Sequence, residues 1–192
     1  MKKLDTKTIA GLGIMSALVV VLQLLGSFIR FGPFSISLVN IPIVVGAVLF
    51  GPYGGAFLGL VFGLTVLFSG DAALFLAVTV PGTIITVIVK GVLAGFVSGL
   101  VYEALKKKNG TAAVVAAAIT CPIVNTGVFL IGCLIFFMDT INGWAAAAGL
   151  ADRVGTYMII GLVGGNFLVE LLVSAVLSPV VLRLLKIIKK RV

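Results

Sequence analysis

Long apolar segments separated by short polar ones make up almost all of this sequence. Several are long enough for a membrane, since a helix needs roughly 20 apolar residues to cross about 30 Å of hydrocarbon. The alternation of apolar and polar positions that marks a membrane β-barrel is absent. The pattern therefore predicts an all-α bundle of six membrane-spanning helices. The predicted spans are about 9–29, 36–50, 53–69, 83–104, 111–138 and 156–185.

The junction LFGPYGGAFLG decides between five and six spans. Proline removes a backbone donor and disfavours a helical residue before it, so Gly51-Pro52 favours a turn. A turn gives six spans and places both termini on one side of the membrane. A continuous helix would give five and would put Lys106–Lys108 on the outer side. Six is the preferred count.

Composition agrees with a membrane protein. Hydrophobic residues make up 61% of the 192 positions and charged residues 10%, with a mean hydropathy of +1.32. Soluble domains carry about 25% charged residues. The N-terminal apolar stretch is longer than the core of a secretory signal and no cleavage site follows it, so it is interpreted as the first span. One membrane domain over 1–192 accounts for the chain.

The net charge of +8 reflects membrane topology rather than nucleic-acid binding. Most basic residues flank apolar spans, as the positive-inside rule expects for the cytoplasmic side. Six spans place all these clusters there, which predicts that both termini are cytoplasmic. The clusters are Lys2/Lys3/Lys7, Lys106–Lys108 and Arg183/Lys186/Lys189/Lys190/Arg191. Arg30 and Arg153 remain for the outer side.

Polar residues inside the spans predict a pocket open to the outer side. Counted at 1.5 Å per residue from the inner ends of their helices, Lys90 and Glu170 lie at similar depths, roughly 20 Å from the inner surface. A charge in hydrocarbon is costly, and such residues face the bundle interior and mark function. Gln23, Asn125 and Asn166 lie about a turn further out. The candidate substrate-binding residues are Lys90, Asn125, Asn166, Glu170, Gln23, Asn40, Thr86 and Trp144.

Structural interpretations of the same residues stay open. Lys90 and Glu170 have equal depth and can form an ion pair that only fixes helix packing. Asn125 follows Pro122 and can satisfy the carbonyl that the proline leaves free. Trp144 is typical of a membrane-interface anchor, and the alternative is a lid over a ligand.

The sequence lacks the residues of common enzymes. It contains no histidine, which removes the usual general base and zinc ligand. No phosphate-binding G-x-x-x-x-G-K-[ST] motif occurs, and FSGD at 68–71 misses the G-x-G-D of intramembrane aspartyl proteases at its first position. No enzyme, cofactor or metal site is expected, and any use of ATP requires a partner chain.

Small residues recur at helical spacing, which lets helix backbones approach closely in lipid. Gly55, Gly59 and Gly63 form one such stripe, with Gly51 at its start, and Gly91, Gly95 and Gly99 form another. Both predict helix packing. Gly13 and Ala17 make a weaker pair on the first helix, for packing within the chain or against another subunit.

Two segments, LVNIPIVVGAVLFGPYGGAFLGLVFG and VKGVLAGFVSGLVY, resemble the S components of energy-coupling factor (ECF) transporters, the substrate-binding membrane subunits for vitamins. The most specific part is I-P-x-x-x-G-A-x-x-x-G-P. The resemblance covers nearly the whole chain. It implies a pocket formed by helices four to six and the outer loops, which close over a vitamin bound from outside.

The resemblance also implies partners. S components act with a transmembrane coupling subunit and two cytoplasmic ATPases. The A-x-x-x-A motif that contacts the coupling subunit corresponds to Gly13 and Ala17, with glycine at the first position.

Within this family, Lys90 suits an anionic vitamin, which ranks pantothenate first. Riboflavin is second: it would use Phe75, Phe129, Tyr157 and Trp144, but riboflavin carriers favour an acidic residue where this chain has Asn40. The alternative outside the family is a stand-alone, proton-coupled transporter of a small anionic nutrient, with Glu170 as the proton carrier.

Overall fold

The computed structural model describes residues 5–28, 30–31, 34–35 and 38–190. The regular secondary structure of these residues is helical except for one short pair of strands, β1 (Arg30–Phe31) and β2 (Phe34–Ser35), which run antiparallel. The helices are α1 Thr6–Ser27, α2 Asn40–Phe68, α3 Ala73–Leu76, α4 Val80–Leu105, α5 Gly110–Phe136, α6 Met138–Ala147, α7 Val154–Thr156 and α8 Gly165–Lys190.

Within the described residues, five helical segments are long and apolar enough to cross a membrane. This confirms the predicted all-helical membrane fold. Helices α1, α4 and α5 begin and end within three residues of the predicted spans 9–29, 83–104 and 111–138, whereas α2 extends over two predicted spans. The predicted limits at 29 and 36 lie outside the described residues, as do Lys2, Lys3 and Arg191.

Helix α2 is broken at Gly51 and folds back on itself. Gly51 has φ 80° and ψ −177°, a left-handed conformation that glycine adopts without a steric penalty. A Cβ placed on Gly46 would overlap the Leu58 side chain. In a continuous helix those positions would lie about 18 Å apart. The first arm, 40–50, therefore packs antiparallel against the second arm, 52–68, with the turn at the predicted junction.

The second arm of α2 packs against α4 along the two predicted glycine stripes. A Cβ on Gly59 would overlap the backbone of Gly91, and a Cβ on Gly55 would overlap that of Gly95. The two helices run antiparallel and approach with backbone against backbone, which only small residues allow. We call these four residues the glycine ladder. Gly51 lies in the turn instead, where a Cβ would meet nothing within 4 Å.

The last predicted span, 156–185, is not one regular helix. It begins as α7, widens into a π-helix over Tyr157–Gly164 and continues as α8 to Lys190. Such wide turns are rare and frequently occur at functional sites. This segment and its junction with α8 contain Gly161, Gly164 and Gly165. Glycine has a low propensity for the α-helix.

Candidate functional site

A cavity lies between the helices at the end of the bundle opposite the basic loop Lys106–Lys108. Helix α4 shows the direction, because its cavity-lining residues lie between Thr83 and Lys90, in its first half, whereas the basic loop follows its last residue. The cavity volume is about 60 Å³. Its polar lining consists of Gln23, Asp71, Thr83, Thr86, Lys90, Asn125, Thr126, Asn166 and Glu170.

Four helices each contribute a buried oxygen that makes no hydrogen bond within the described part of the chain. These atoms are Gln23 Oε1 on α1, Thr86 Oγ1 on α4, Asn125 Oδ1 on α5 and Asn166 Oδ1 on α8. Gln23, Thr86 and Asn125 are only 2%, 4% and 5% exposed. Buried polar groups are nearly always hydrogen-bonded, and an unpaired one costs about 1–3 kcal/mol. Their convergence on one cavity indicates a binding site for hydrogen-bonding groups.

Lys90 supplies a positive charge to this cavity. Its Nζ lies 5.6 Å from the ring centroid of Phe62 on α2 and 5.3 Å from that of Phe129 on α5. Glu170 and Asp71 are close enough for their carboxylates to attract the ammonium. Placing a lysine in a membrane costs about 2.5–3.5 kcal/mol on insertion scales, and each ring offsets about 0.5–2 kcal/mol of such a cost.

Glu170 is the centre of a buried hydrogen-bond network. Asn166 Nδ2 donates to Oε1 at 2.9 Å, and Asn40 Nδ2 donates to Oε2 at 3.3 Å. Behind it, the Cys121 thiol donates to Asn40 Oδ1 at 3.6 Å. Both carboxylate oxygens thus receive an amide donor, which suits an ionised carboxylate. Glu170 therefore orients Asn166 and carries negative charge at the cavity wall.

Asp71 is a site residue that the sequence reasoning missed. Gln23 Nε2 donates to its Oδ2 at 2.5 Å, and Ser69 Oγ donates to the same atom at 3.3 Å. Asp71 lies in the connection between α2 and α3, so counting depth along the predicted spans did not include it. The available signal was an acidic residue just after a predicted span.

Aromatic side chains form a further part of the cavity wall. Phe75 on α3 contacts Phe129, Phe137 and Trp144, with ring centroids 5.4, 4.9 and 5.7 Å away. The three contacts are edge-to-face, a preferred arrangement of aromatic pairs. Phe75, Phe129 and Phe137 line the cavity, whereas Trp144 lies behind Phe75. Trp144 belongs to α6.

The structure brings most of the predicted site residues around this one cavity and leaves two outside it. Asn40 lies behind Glu170, and Trp144 lies behind Phe75. The cavity-lining residues are Gln23, Thr86, Lys90, Asn125, Asn166 and Glu170. The wall also includes α1 and the second arm of α2. It therefore extends beyond the fourth to sixth predicted spans, which the resemblance implied.

The two structural alternatives for site residues can be compared with this geometry. Lys90 and Glu170 attract each other, but both also border the cavity. Asn125 lines the cavity, and its side chain makes no hydrogen bond in the described residues to the Ala118 carbonyl that Pro122 leaves free.

The face of α1 that carries Gly13 and Ala17 is exposed. A Cβ on Gly13 would meet nothing within 4 Å. Beside it, an apolar groove of about 510 Å³ is lined by Gly13, Leu12, Phe50 and Phe57, among others. This pair therefore does not pack within the described part of the chain.

Comparison with known proteins assigns the chain to a family. The model of the family "ECF transporter, substrate-specific component" matches residues 7–184. The chain is 27% identical to the "Pantothenic acid transporter PanT" of Lactococcus lactis subsp. cremoris (strain MG1363), over 94% of each chain. No solved structure matches the chain. The family match confirms the resemblance drawn from the sequence, and its description is of a transporter component rather than an enzyme.

Proposed function

Because this chain belongs to the family of substrate-specific components of ECF transporters, we propose that it captures the vitamin pantothenate for an ATP-driven importer. The observation that carries the proposal is the cavity in which one ammonium and four unpaired oxygens converge. The name of the Lactococcus lactis relative points to the same substrate.

The chemistry of pantothenate matches this set of groups. The vitamin has one carboxylate, two hydroxyl groups and a secondary amide. The carboxylate pairs with Lys90, and the two hydroxyls and the amide N–H donate to the side-chain oxygens of Gln23, Asn125 and Asn166. The Thr86 hydroxyl donates to the amide carbonyl. The contact between the carboxylate and Lys90 is a charge-assisted hydrogen bond, so it contributes the largest share of the binding free energy.

Riboflavin fits the described cavity less well. Its uncharged, flat ring system needs an open aromatic face and makes no use of a buried ammonium. The aromatic rings of the wall meet edge-to-face, and neither Tyr157 nor Trp144 lines the cavity.

Binding requires the cavity to expand. Ligand sites for small molecules have volumes of about 300–1,000 Å³, whereas this cavity measures about 60 Å³. The cavity wall includes Phe75 of the short helix α3 and Val163 of the π-helix, which are not parts of long regular helices. We expect these two elements to move outward when the vitamin enters.

The proposed topology has six spans, because the two arms of α2 run in opposite directions, so that α2 returns toward the side of the membrane from which it starts. Residues 1–192 then form one membrane domain in the bacterial plasma membrane, with cytoplasmic termini. The break at Gly51 supports this count. The cavity then opens outward, since it lies at the end opposite Lys106–Lys108, and positive clusters mark the cytoplasmic side.

The proposed partners are a transmembrane coupling subunit and two cytoplasmic ATPases. The exposed small residues Gly13 and Ala17 and the adjoining groove support a docking site for a helix of the coupling subunit. Small residues allow such a helix to approach α1 closely in lipid.

The test of substrate is calorimetry on the purified chain in lipid nanodiscs. We expect one pantothenate per chain and no riboflavin binding. Lys90→Met removes a charge-assisted contact and lowers pantothenate affinity about 10- to 100-fold. Lys106→Met is the matched control, since Lys106 pairs with Glu103 at the other end of α4, and it leaves affinity unchanged. Tight binding of another vitamin without binding of pantothenate would overturn the assignment.

The mode of energy coupling needs a separate test. Uptake is measured in cells that contain the chain with a coupling subunit and either active or hydrolysis-deficient ATPases. We expect uptake to stop with the inactive ATPases and to survive a protonophore while ATP is maintained. The reverse pattern would favour the proton-coupled alternative with Glu170 as carrier.

A further inference from the structure

From the position of Lys90 between two helices we infer that Phe62 and Phe129 are positioning residues that hold its ammonium ready for the carboxylate of the substrate. The inference rests on the proposed binding of an anionic vitamin at Lys90. We call the two rings the aromatic clamp.

The clamp comes from both helices that flank α4. Phe62 belongs to the second arm of α2 and Phe129 to α5, and the Lys90 Nζ lies 5.6 Å and 5.3 Å from their ring centroids. Both distances are within the ≈6 Å range of cation–π attraction. Phe62 is 2% exposed and Phe129 is 7% exposed, so the packed core fixes both rings.

An aromatic ring holds an ammonium differently from a carboxylate. The ring attracts the charge through its quadrupole and has no lone pair that takes up an N–H donor in a strong hydrogen bond. The three donors of a lysine ammonium therefore stay available to a ligand. The rings also exclude water, and a charge pair is stronger in such a low-dielectric environment.

The clamp makes a prediction about the charge of the ligand. Loss of one ring should weaken binding of an anion more than binding of a neutral analogue of the same shape. A ring that only fills space should affect both ligands equally. Phe137 provides the matched comparison, since it lines the same cavity and is 2% exposed, and in the described residues it makes no cation–π contact with Lys90.

The first experiment compares pantothenate with panthenol, its uncharged alcohol analogue, by calorimetry in nanodiscs. We expect Phe62→Leu and Phe129→Leu each to lower the ratio of pantothenate to panthenol affinity about 2- to 5-fold. Phe137→Leu should leave the ratio unchanged. Replacing Phe62 by phenylalanines of increasing fluorination, which weakens the quadrupole at nearly constant size, should lower the ratio in steps. An unchanged ratio in both leucine variants, or an equal fall in Phe137→Leu, would overturn the inference.

A second experiment needs no ligand and separates this inference from the proposed function. Thermal unfolding in detergent is measured for Phe62→Leu, Lys90→Met and the double variant. A direct contact makes the effects non-additive, so Phe62→Leu should lower the midpoint less when Lys90 is already absent. Phe137→Leu should lower it equally in both backgrounds. Additive effects of Phe62→Leu and Lys90→Met would refute the aromatic clamp even if pantothenate binds. Non-additive effects in a protein that does not bind pantothenate would refute only the assignment of the substrate.

Discussion

The buried polar residues of this protein divide into those that stabilise the fold and those that we propose bind a ligand. Asn40 and Asn125 are both buried amides, 3% and 5% exposed. Asn40 donates to Glu170 and accepts from Cys121, whereas Asn125 Oδ1 has no partner in the described residues. The sequence identified both as candidates, but depth along a helix does not reveal hydrogen-bond partners, so it could not separate these roles. Asp71 was missed because it lies in the connection between α2 and α3, outside the spans along which depth was counted.

Replacing Asn125 by leucine should stabilise the protein and weaken binding. The change removes an unpaired buried oxygen at nearly constant volume, so we expect the free energy of unfolding to rise by about 1 kcal/mol. Pantothenate affinity should fall about 10-fold. Thermal unfolding and calorimetry measure the two effects.

Asn40→Leu is the matched comparison for that prediction. It removes the hydrogen bonds that Asn40 makes with Glu170 and Cys121, and it should lower the free energy of unfolding by about 1–3 kcal/mol. Equal destabilisation by both leucine variants would contradict the division between structural and ligand-binding amides.

Gly132 sets the position of Thr86. A Cβ on Gly132 would overlap the Thr86 side chain, so Gly132→Ala should displace the Thr86 hydroxyl and weaken pantothenate binding. Affinity should recover in part when Thr86 is also changed to serine, which lacks the methyl group. Gly127→Ala is the control on the same helix, because a Cβ there meets nothing within 4 Å. Equal affinity loss in both alanine variants would argue against this role.

Whole helices could be predicted from the sequence better than their irregularities. Apolar length located the spans, and Gly51-Pro52 located the break in α2, because both signals are local. The π-helix at Tyr157–Gly164 carried no comparable signal, since its residues are as apolar as those of a regular span. The β1–β2 pair and the start of α2 at Asn40 were missed because both belong to a connection that apolar length does not describe.

The glycine ladder should be intolerant of even one methyl group. In Gly59→Ala the new Cβ overlaps the backbone of Gly91, which a rotamer change cannot relieve. We expect a loss of about 1–3 kcal/mol in the free energy of unfolding. Pantothenate affinity should fall too, because Lys90 directly precedes Gly91. Thermal unfolding tests this with Gly127→Ala as the control, and an unchanged midpoint in Gly59→Ala would contradict the packing.

At the scale of the whole molecule, the proposed vitamin site and the proposed docking face lie in different places. The cavity is enclosed by several helices, whereas Gly13 and Ala17 lie on the exposed side of α1. A membrane subunit that binds substrate and then passes it on needs both surfaces, and the separation allows each to be changed alone.

Tryptophan at Gly13 or Ala17 should abolish uptake while leaving pantothenate binding intact. The large side chain prevents close approach of a partner helix, and it lies on the exposed face of α1, whereas the cavity-lining Gln23 of the same helix is buried. Uptake in cells and calorimetry on the purified chain measure the two properties. Ile131→Trp, at an exposed position on α5, is the control and should transport normally. Normal uptake in both α1 variants would contradict the assignment of Gly13 and Ala17 to the interface with the coupling subunit.

The most direct test of the central claim is native mass spectrometry of the chain purified from cells, with identification of the small molecule released on denaturation. We predict one pantothenate per chain, lost in Lys90→Met and retained in Lys106→Met. A different vitamin in the wild-type protein, or pantothenate retained equally by both variants, would contradict the assignment of this cavity.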